Sequence, residues 1–245
     1  MTKISLIVLT FISLLFFETS VHAQAYAGEA CQTNLNPILK EQVKSNQIPD
    51  ISGVAYNFFE KLSSSYLKSD LTGFKMDPKI LSSKDIDDQI EVAEKKDLWT
   101  CRYTAYSVLD KNMQSAWCEG VKGPGIGEVI IAPFDKTKSR FKIFSGYGKN
   151  KKTFEENNRI KSAKITLVYS KQPFMYSTSE DSNTGKLDTI FSKVINLKDV
   201  FGFQTVPLDL VKFKAGNWTQ LYVAIEILDV YKGTKYDDTC ITEIE

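Results

Sequence analysis

The side chains available for chemistry in this sequence are carboxylates, amides, lysines and tyrosines, because histidine is almost absent. The 245 residues include one histidine, His22, which lies in a segment interpreted below as a cleaved leader. The mature chain would then contain no imidazole. This excludes Ser-His-Asp and Cys-His nucleophiles and histidine-ligated zinc. Carboxylate chemistry stays open, as does acid–base work by lysine or tyrosine.

Four carboxylates lie in turn-like sequence and are candidates for a joint site: Glu119, Glu128, Asp237 and Asp238. Glu119, Asp237 and Asp238 are the candidates for a glycosidase-like pair, but no sequence feature pairs them in space. Clustered oxygens of this kind also suit calcium. The alternative is an internal network with Lys232 and Lys235. We expect no catalytic residue and no cofactor, with calcium as the alternative.

Three segments combine aromatic, charged and glycine residues in loop-like sequence: 115–128, 145–161 and 229–245. The first contains four glycines and Pro124, and glycine takes a positive φ at little cost, so this loop has a defined backbone path. The three segments supply the candidate ligand-binding residues, which are Trp117, Glu119, Tyr147, Lys149, Asn158, Arg159, Tyr231 and Asp237.

Several of these candidates have a structural alternative. Trp117 offers a flat face to a sugar ring, but it lies beside Cys118 and a core position competes with that role. Tyr147, in a Gly-Tyr-Gly loop tip, is the better stacking candidate. Arg159 suits a carboxylate or two sugar hydroxyls, or an internal salt bridge that pins its loop. Tyr231 and Tyr236 flank a Lys-Gly-Thr-Lys turn and are alternatively part of a rigid loop.

Apolar and polar residues alternate in the second part of the chain. The pattern occurs in segments 140–146, 163–170 and 219–231, and a short apolar run occupies 126–133. Alternation of this kind predicts strands with one buried face. Several strands without an intervening helical pattern predict a β-sandwich or jelly roll over residues 97–245. We expect the long strand 219–231 in the middle of a sheet, where neighbours satisfy its backbone.

Residues 24–96 have a different pattern and are interpreted as a small, partly helical N-terminal extension. Apolar residues at helical spacing predict one helix over 52–67 and another over 83–96, with Ser52 and Ser83 as N-caps. The stretch between them, 70–82, contains Gly73 and Pro78 and is predicted to be a loop.

Three runs of the chain resemble the NAD glycohydrolase translocation domain, also called the NADase-type glycan-binding domain: AWCEGVKGPGIGE, GYGKNKKTFEENNRIK and VYKGTKYDDTCITEIE. That family is a branch of the discoidin-like, coagulation-factor type C domains. The resemblance covers residues 97–245 and implies a mainly β fold, a discoidin-like jelly-roll sandwich that binds surface glycans without hydrolysing them. Relatives show Asp-Gly where this chain has Asp110-Lys111-Asn112, which weakens the transfer of a calcium-binding turn.

We therefore expect an exported, non-catalytic protein that recognises a glycan or glycoconjugate through loops at one end of a sandwich. The alternative is a protein-interaction or structural envelope module that binds no sugar. The segment 24–96 is too short for a separate catalytic domain of ordinary size. The near balance of 31 Lys and Arg against 30 Asp and Glu argues against a nucleic-acid partner. The three loops look too polar to insert into a membrane.

The N-terminus and the cysteines predict export. Lys3, the apolar run 4–17 and small residues up to Ala23 form a secretory signal over residues 1–23, so we expect a periplasmic, secreted or cell-surface protein without a membrane-spanning segment. An even number of cysteines in an exported chain favours two disulfides, and three pairings are open. We favour Cys118 with Cys240 and Cys31 with Cys101; free buried thiols are the alternative.

Overall fold

The computed structural model describes Lys40 and residues 62–170, 187–208 and 220–245. Within these ranges the strands are β1 (Leu62–Ser63), β2 (Trp117–Cys118), β3 (Val129–Phe134), β4 (Arg140–Ser145), β5 (Arg159–Ser170), β6 (Leu187–Asn196), β7 (Gln204–Pro207), β8 (Gln220–Tyr231) and β9 (Cys240–Ile244). The helices are α1 (Pro78–Leu81), α2 (Ile86–Thr100), a 3₁₀ helix (Ala105–Leu109) and α3 (Lys151–Glu156).

The strands form two antiparallel sheets, one in the order β1-β3-β8-β5-β6 and the other in the order β2-β9-β4-β7. The four predicted strand segments correspond to β3, β4, β5 and β8. The longest of them, β8, lies between β3 and β5, so both of its edges are hydrogen-bonded. The predictions of a sandwich and of a central position for β8 are confirmed.

One hydrophobic core lies between the two sheets. Ile165 and Ile225 enter it from the five-stranded sheet, and Phe141 and Ile241 enter it from the four-stranded sheet. Each of these side chains is fully buried, and burial of one such side chain stabilises the fold by about 1.5–3 kcal/mol. In β8 the residues 221–227 are buried on both faces, which differs from the single buried face predicted for it.

The helix predicted over 52–67 is wrong where the structure describes it. Leu62–Ser63 is a short strand that pairs antiparallel with Ile130 and Ile131 of β3, and the remainder of the predicted helix up to residue 61 lies outside the described residues. The amide of Ser64 also donates to the carbonyl of Val129 at 2.8 Å. Pairing with the edge of an existing sheet has overridden a weak helical periodicity.

The second predicted helix is confirmed as α2, with different ends. The helix begins at Ile86, and the Asp85 carboxylate, rather than the Ser83 hydroxyl, caps it by accepting from the amide of Asp87. It continues to Thr100, four residues beyond the predicted end. The loop predicted over 70–82 contains the single turn α1, which Asp77 caps.

The division of the chain at residues 96 and 97 stays a prediction, and that boundary falls inside α2. The predicted signal peptide, residues 1–23, lies outside the described residues. Among the helices that are described, none is long and apolar enough to cross a membrane.

Candidate functional site

The three segments singled out in the sequence meet at one end of the sandwich. The Thr239 hydroxyl donates to the carbonyl of Pro124 at 2.8 Å, which joins the first segment to the third. The amide of Asn158 donates to the carbonyl of Asp238 at 3.0 Å, which joins the second to the third. We refer to residues 119–128, 146–158 and 231–239 together as the loop end.

Glu119 holds the first segment of the loop end from inside. Its carboxylate is fully buried and accepts from the amide of Thr239 at Oε1 (3.1 Å) and from the amide of Val121 at Oε2 (2.9 Å). Burial raises the pKa of Glu119 to about 7. Gly125 lies directly against this side chain at φ +66°, where a Cβ would stand 2.3 Å from the Glu119 Cγ. Glu119 is therefore a structural residue with no access to a ligand.

Asn158 connects the second and third segments. Its side-chain amide donates to the carbonyl of Asp237 at 2.5 Å, and its Oδ1 accepts from the amide of Gly233 at 2.6 Å. The side chain is buried, so its hydrogen-bonding groups face the protein interior. It sets the position of the loop that carries Asp237.

Arg159 forms the internal salt bridge that was the alternative to ligand binding. Its guanidinium donates to both carboxylate oxygens of Asp199, in the β6–β7 loop, from Nε at 2.9 Å and from Nη2 at 2.5 Å. Nη1 donates to the carbonyls of Asn157 and Lys232, each at 3.0 Å. The guanidinium also lies 5.1 Å from the centroid of the Phe154 ring. All three guanidinium nitrogens therefore donate to groups of the protein itself.

Trp117 and Tyr147 are both buried. Trp117 is fully buried in the core, and its indole nitrogen donates to the carbonyl of Ser65 at 2.9 Å. Tyr147 is 8% exposed and donates to the carbonyl of Gln114 at 2.8 Å, so it is not an exposed loop tip. Burial raises the pKa of Tyr147 to about 12. Neither ring presents a face on which a sugar could stack.

Tyr147 packs on the disulfide between Cys118 and Cys240, which confirms the favoured pairing of these two cysteines. Cys101 is also disulfide-bonded. Cys31, its favoured partner, lies outside the described residues. The Cys118–Cys240 bond closes a loop of 122 residues and fixes β2 to β9 at the base of the loop end.

All three segments contribute exposed residues to the surface of the loop end. Asp237 and Lys149 are exposed, while Tyr231 is half-buried and donates to the carbonyl of Leu197 at 3.1 Å. The aromatic residue with the freest ring here is Tyr236, which is 42% exposed and has the Lys235 Nζ 4.7 Å from its ring centroid. From the sequence, Tyr236 was interpreted only as part of a rigid loop beside a turn.

The carboxylates of the loop end do not gather into one cluster. Glu128 accepts from Lys40 and from the hydroxyls of Ser64 and Ser65, and these contacts hold its pKa below the usual range despite burial. Within the part of the chain that the structure describes, no group of three or more His, Cys, Asp or Glu side chains is placed to hold a metal ion. The calcium alternative joined Asp237 and Asp238 to Glu119 and Glu128, whereas both carboxylate oxygens of Glu119 accept from backbone amides.

A second surface feature was not predicted from the sequence. Arg140 and Lys142 of β4 are exposed and point away from the core, and the Lys142 Nζ lies 6.0 Å from the ring centroid of Phe203. The rings of Phe203 (39% exposed) and Phe201 (47% exposed) belong to the β6–β7 loop. Together with Lys138 we refer to these residues as the outer strip. A signal existed in Val-Phe-Gly-Phe at 200–203, an apolar loop between polar residues. The alternation of basic and apolar residues in β4 was visible too, but only the tertiary structure places the two side by side.

The family assignment follows from the match between the chain and a family profile. Residues 82–245, more than half of the chain, match the NAD glycohydrolase translocation F5/8 type C domain. The chain belongs to this family. NAD glycohydrolase translocation F5/8 type C domains are binding and translocation modules rather than catalytic domains. The match confirms the resemblance on which the sequence analysis relied, and no curated protein matches the chain as a close relative.

Solved structures of low similarity accompany this family match. The carbohydrate-binding domain "CBM32 of AlyQ in complex with 4,5-unsaturated mannuronic acid" is 12% identical with a TM-score of 0.29, over 56% of this chain and 81% of that one. The arabinofuranosyltransferase AftD from Mycobacteria is 9% identical with a TM-score of 0.35, over 58% of this chain. The match covers only 9% of the transferase chain.

Proposed function

We propose that the protein is an exported, non-catalytic carbohydrate-binding protein that holds sugar at the loop end of its sandwich. Membership in a family of binding and translocation domains supports the non-catalytic part of the proposal. The Cys118–Cys240 disulfide supports export, since such bonds persist in oxidising compartments. The predicted N-terminal leader agrees with that compartment.

The observation that carries the proposal is the contrast between the inside and the outside of the loop end. Glu119, Asn158 and Arg159 are buried and hydrogen-bonded to the backbone of neighbouring loops, so the loop end is rigid before any ligand arrives. Tyr236 and Asp237 face outward from this support. A fixed aromatic ring next to a carboxylate is the arrangement that stacks on a sugar and accepts from its hydroxyls.

The third segment gains its rigidity from helix α3. The amides of Thr234 and Tyr236 donate to the carbonyls of Glu155 and Glu156 at 2.9 and 2.8 Å, so the loop caps the C-terminal end of the helix. Gly233 fits against the same turn, where a Cβ would lie 2.4 Å from the Glu156 carbonyl oxygen. A preformed shallow site of this kind binds a single sugar weakly, and useful binding then depends on several contacts at once.

Carboxylate catalysis is not supported by the arrangement of the candidate acids. A glycosidase needs two carboxyl groups that face the same glycosidic bond. Glu119 is fully buried with both oxygens bound to backbone amides, whereas the Asp237 side chain is exposed on the surface. These two groups cannot act on one substrate without a rearrangement of the loop end.

A glycan array of the chain from Gln24 to Glu245 tests the proposal, with Tyr236→Ala as the site variant. Tyr106→Ala is the matched control, because Tyr106 is a tyrosine of similar exposure (45% against 42%) in the 3₁₀ helix. We expect binding to a defined sugar class that Tyr236→Ala loses and Tyr106→Ala keeps. Folded protein that binds no glycan, or loss in both variants alike, would contradict the proposal.

One observation favours the second candidate, a protein-interaction module. Helix α2 exposes Ile86 (72%) and Ile90 (52%) one turn apart, and neighbouring exposed isoleucines suit a protein partner more than a sugar. Paired Ile86→Lys and Ile90→Lys changes should then abolish co-purification of an envelope partner without changing the glycan array. Unchanged co-purification would leave this candidate without support.

A further inference from the structure

The outer strip differs from the loop end in position and in charge. It lies along the exposed face of β4 and β7, where Phe141 and Val206 point into the core and the alternate residues Arg140 and Lys142 point outward. Its polar part is a cleft of about 420 Å³. The lining residues are Thr137, Lys138, Ser139, Arg140, Lys142 and Glu245.

The charge of this cleft is positive and only partly neutralised. Lys142 pairs with Glu245 at 3.1 Å, and both side chains are about half exposed. Lys138 lies near Asp135. The hydrogen bonds from Thr137, and to a smaller extent the charge of Lys138, hold the pKa of the Asp135 carboxyl below its usual value. Arg140 has no ion-pair partner among the residues that the structure describes. A guanidinium is the side chain best suited to a planar carboxylate or a sulfate, because it donates two parallel hydrogen bonds.

The aromatic part of the strip is fixed in place. The rings of Phe203 and Phe201 pack edge to face on Phe144 with centroid distances of 5.6 and 5.3 Å, and Phe201 also packs on Phe154 at 5.5 Å. Lys142 belongs to both parts of the strip, since it lines the cleft and its Nζ is 6.0 Å from the Phe203 centroid. Cations and an exposed, immobile aromatic ring therefore lie on one continuous surface.

We propose that the outer strip is a binding site for an acidic polysaccharide, separate from the loop end. Arg140 and Lys142 bind the carboxylate or sulfate of one residue, and the Phe203 ring stacks on the apolar face of a neighbouring sugar. The inference rests on the proposed carbohydrate-binding function and adds to it the chemical class of ligand and a second site. The rise of a strand puts Arg140 and Phe144 roughly 13 Å apart, so the strip suits a chain of sugars rather than a monosaccharide.

An anionic membrane is the other negatively charged partner to consider, and the geometry favours the polysaccharide. Side chains that insert into a bilayer must project from the surface. Phe201 and Phe203 instead lie back on Phe144 and keep about half of their surface covered. The cleft beside them contains the hydroxyls of Thr137 and Ser139, which suit the hydroxyl-rich surface of a sugar chain.

Isothermal titration with an oligogalacturonate and its methyl ester tests the inference on the chain from Gln24 to Glu245. The two ligands share a backbone and differ in charge. We expect the free acid to bind and added salt to weaken that binding. The ester should bind at least about tenfold more weakly, because it cannot form the charge-assisted hydrogen bonds. The double variant Arg140→Gln and Lys142→Gln should lose a similar factor for the acid, and Phe203→Ala about two- to tenfold.

A matched control removes the same charge elsewhere, at the exposed residues Lys68 and Lys84, each changed to glutamine. This variant should bind the acid as the parent chain does. Equal binding of acid and ester, equal loss in the control, or binding to phosphatidylglycerol vesicles without binding to the acid would overturn the inference. The two proposals fail separately: glycan binding that depends on Tyr236 but not on Arg140 and Lys142 overturns only the acidic site. Absence of all glycan binding overturns the proposed function as well.

Discussion

Arg159 and Asp199 form a two-pronged salt bridge between the start of β5 and the β6–β7 loop, with Nε–Oδ1 and Nη2–Oδ2 distances of 2.9 and 2.5 Å. The arginine side chain is 9% exposed and the aspartate side chain 37%. Through Asp199 the pair positions the loop that carries Phe201 and Phe203, and through the Lys232 carbonyl it positions the loop that carries Tyr236. One internal contact thus supports both proposed binding surfaces.

Arg159→Ala should lower the free energy of unfolding by about 2–4 kcal/mol, because it leaves two carbonyls, one of them buried, and a partly buried carboxylate without their donor. Urea denaturation followed by tryptophan fluorescence measures the change. The control is Lys161→Ala, which breaks the exposed pair with Asp229 and should leave the urea midpoint unchanged. An equal shift in the two variants would show that Arg159 is not a structural anchor.

The stability of the protein should fall as the pH rises from about 5 to 8. Burial raises the pKa of Glu119 and of Glu243 to about 7, from an ordinary value of 4.5, and the nearby charge of Asp110 adds to the effect at Glu243. The folded state therefore binds protons that the unfolded state has released. This stabilisation is complete below pH 4.5 and is lost as the pH passes 7. Between these values the free energy of unfolding falls by up to about 1.4 kcal/mol per pH unit for each group.

Thermal unfolding at a series of pH values measures this dependence, and Glu243→Gln is the variant that tests its origin. An amide keeps an oxygen that can accept from the amide of Lys111, the contact that the carboxylate makes at 2.9 Å, but it does not titrate. The fall in Tm between pH 5 and 8 should become shallower in this variant. A Tm that rises over the same range, or a slope that Glu243→Gln does not alter, would contradict the assignment.

Gly125 and Gly127 both adopt a left-handed backbone conformation but have different surroundings, so they form a matched pair. Both have positive φ, +66° and +84°, so an alanine at either position costs about 1–2 kcal/mol of backbone strain. At Gly125 the new Cβ would also lie 2.3 Å from Glu119, whereas nothing lies within 4 Å at Gly127. Gly125→Ala should therefore cost about 1–3 kcal/mol more than Gly127→Ala in urea denaturation. Equal losses would mean that the Glu119 side chain moves freely.

Lys111→Gly should stabilise the protein. Among the described residues Lys111 is the non-glycine residue with a positive φ, +57°. Glycine removes about 1–2 kcal/mol of left-handed strain and loses part of that gain to chain entropy, so we expect a net gain of about 0.5–1 kcal/mol. Lys111→Ala keeps the strain and should give no gain in the same denaturation experiment. A gain in both variants would point to the lysine charge instead.

The sequence by itself determined four of the nine strands in the described residues, and the class of the fold. The alternation in 140–146 and in 163–170 is a local property, because a strand shows every second side chain to the core wherever it lies. The family landmarks were also predictable, since their residues are present in the sequence in a specific order. The Cys118–Cys240 pairing was favoured among three open pairings, and the structure confirms it. The helix over 52–67 was not, because pairing with β3 decided the conformation of Leu62–Ser63.

The tertiary structure alone decided which of the candidate residues are buried and which are exposed. Tyr147, Asn158 and Arg159 have the composition of a binding loop, yet all three are buried. Their partners Gln114, Gly233 and Asp199 lie 33, 75 and 40 residues away in the sequence, and no local pattern predicts such contacts. Exposure depends on how distant segments cover one another, so only the folded chain shows that Tyr236 and the rings of the outer strip are exposed.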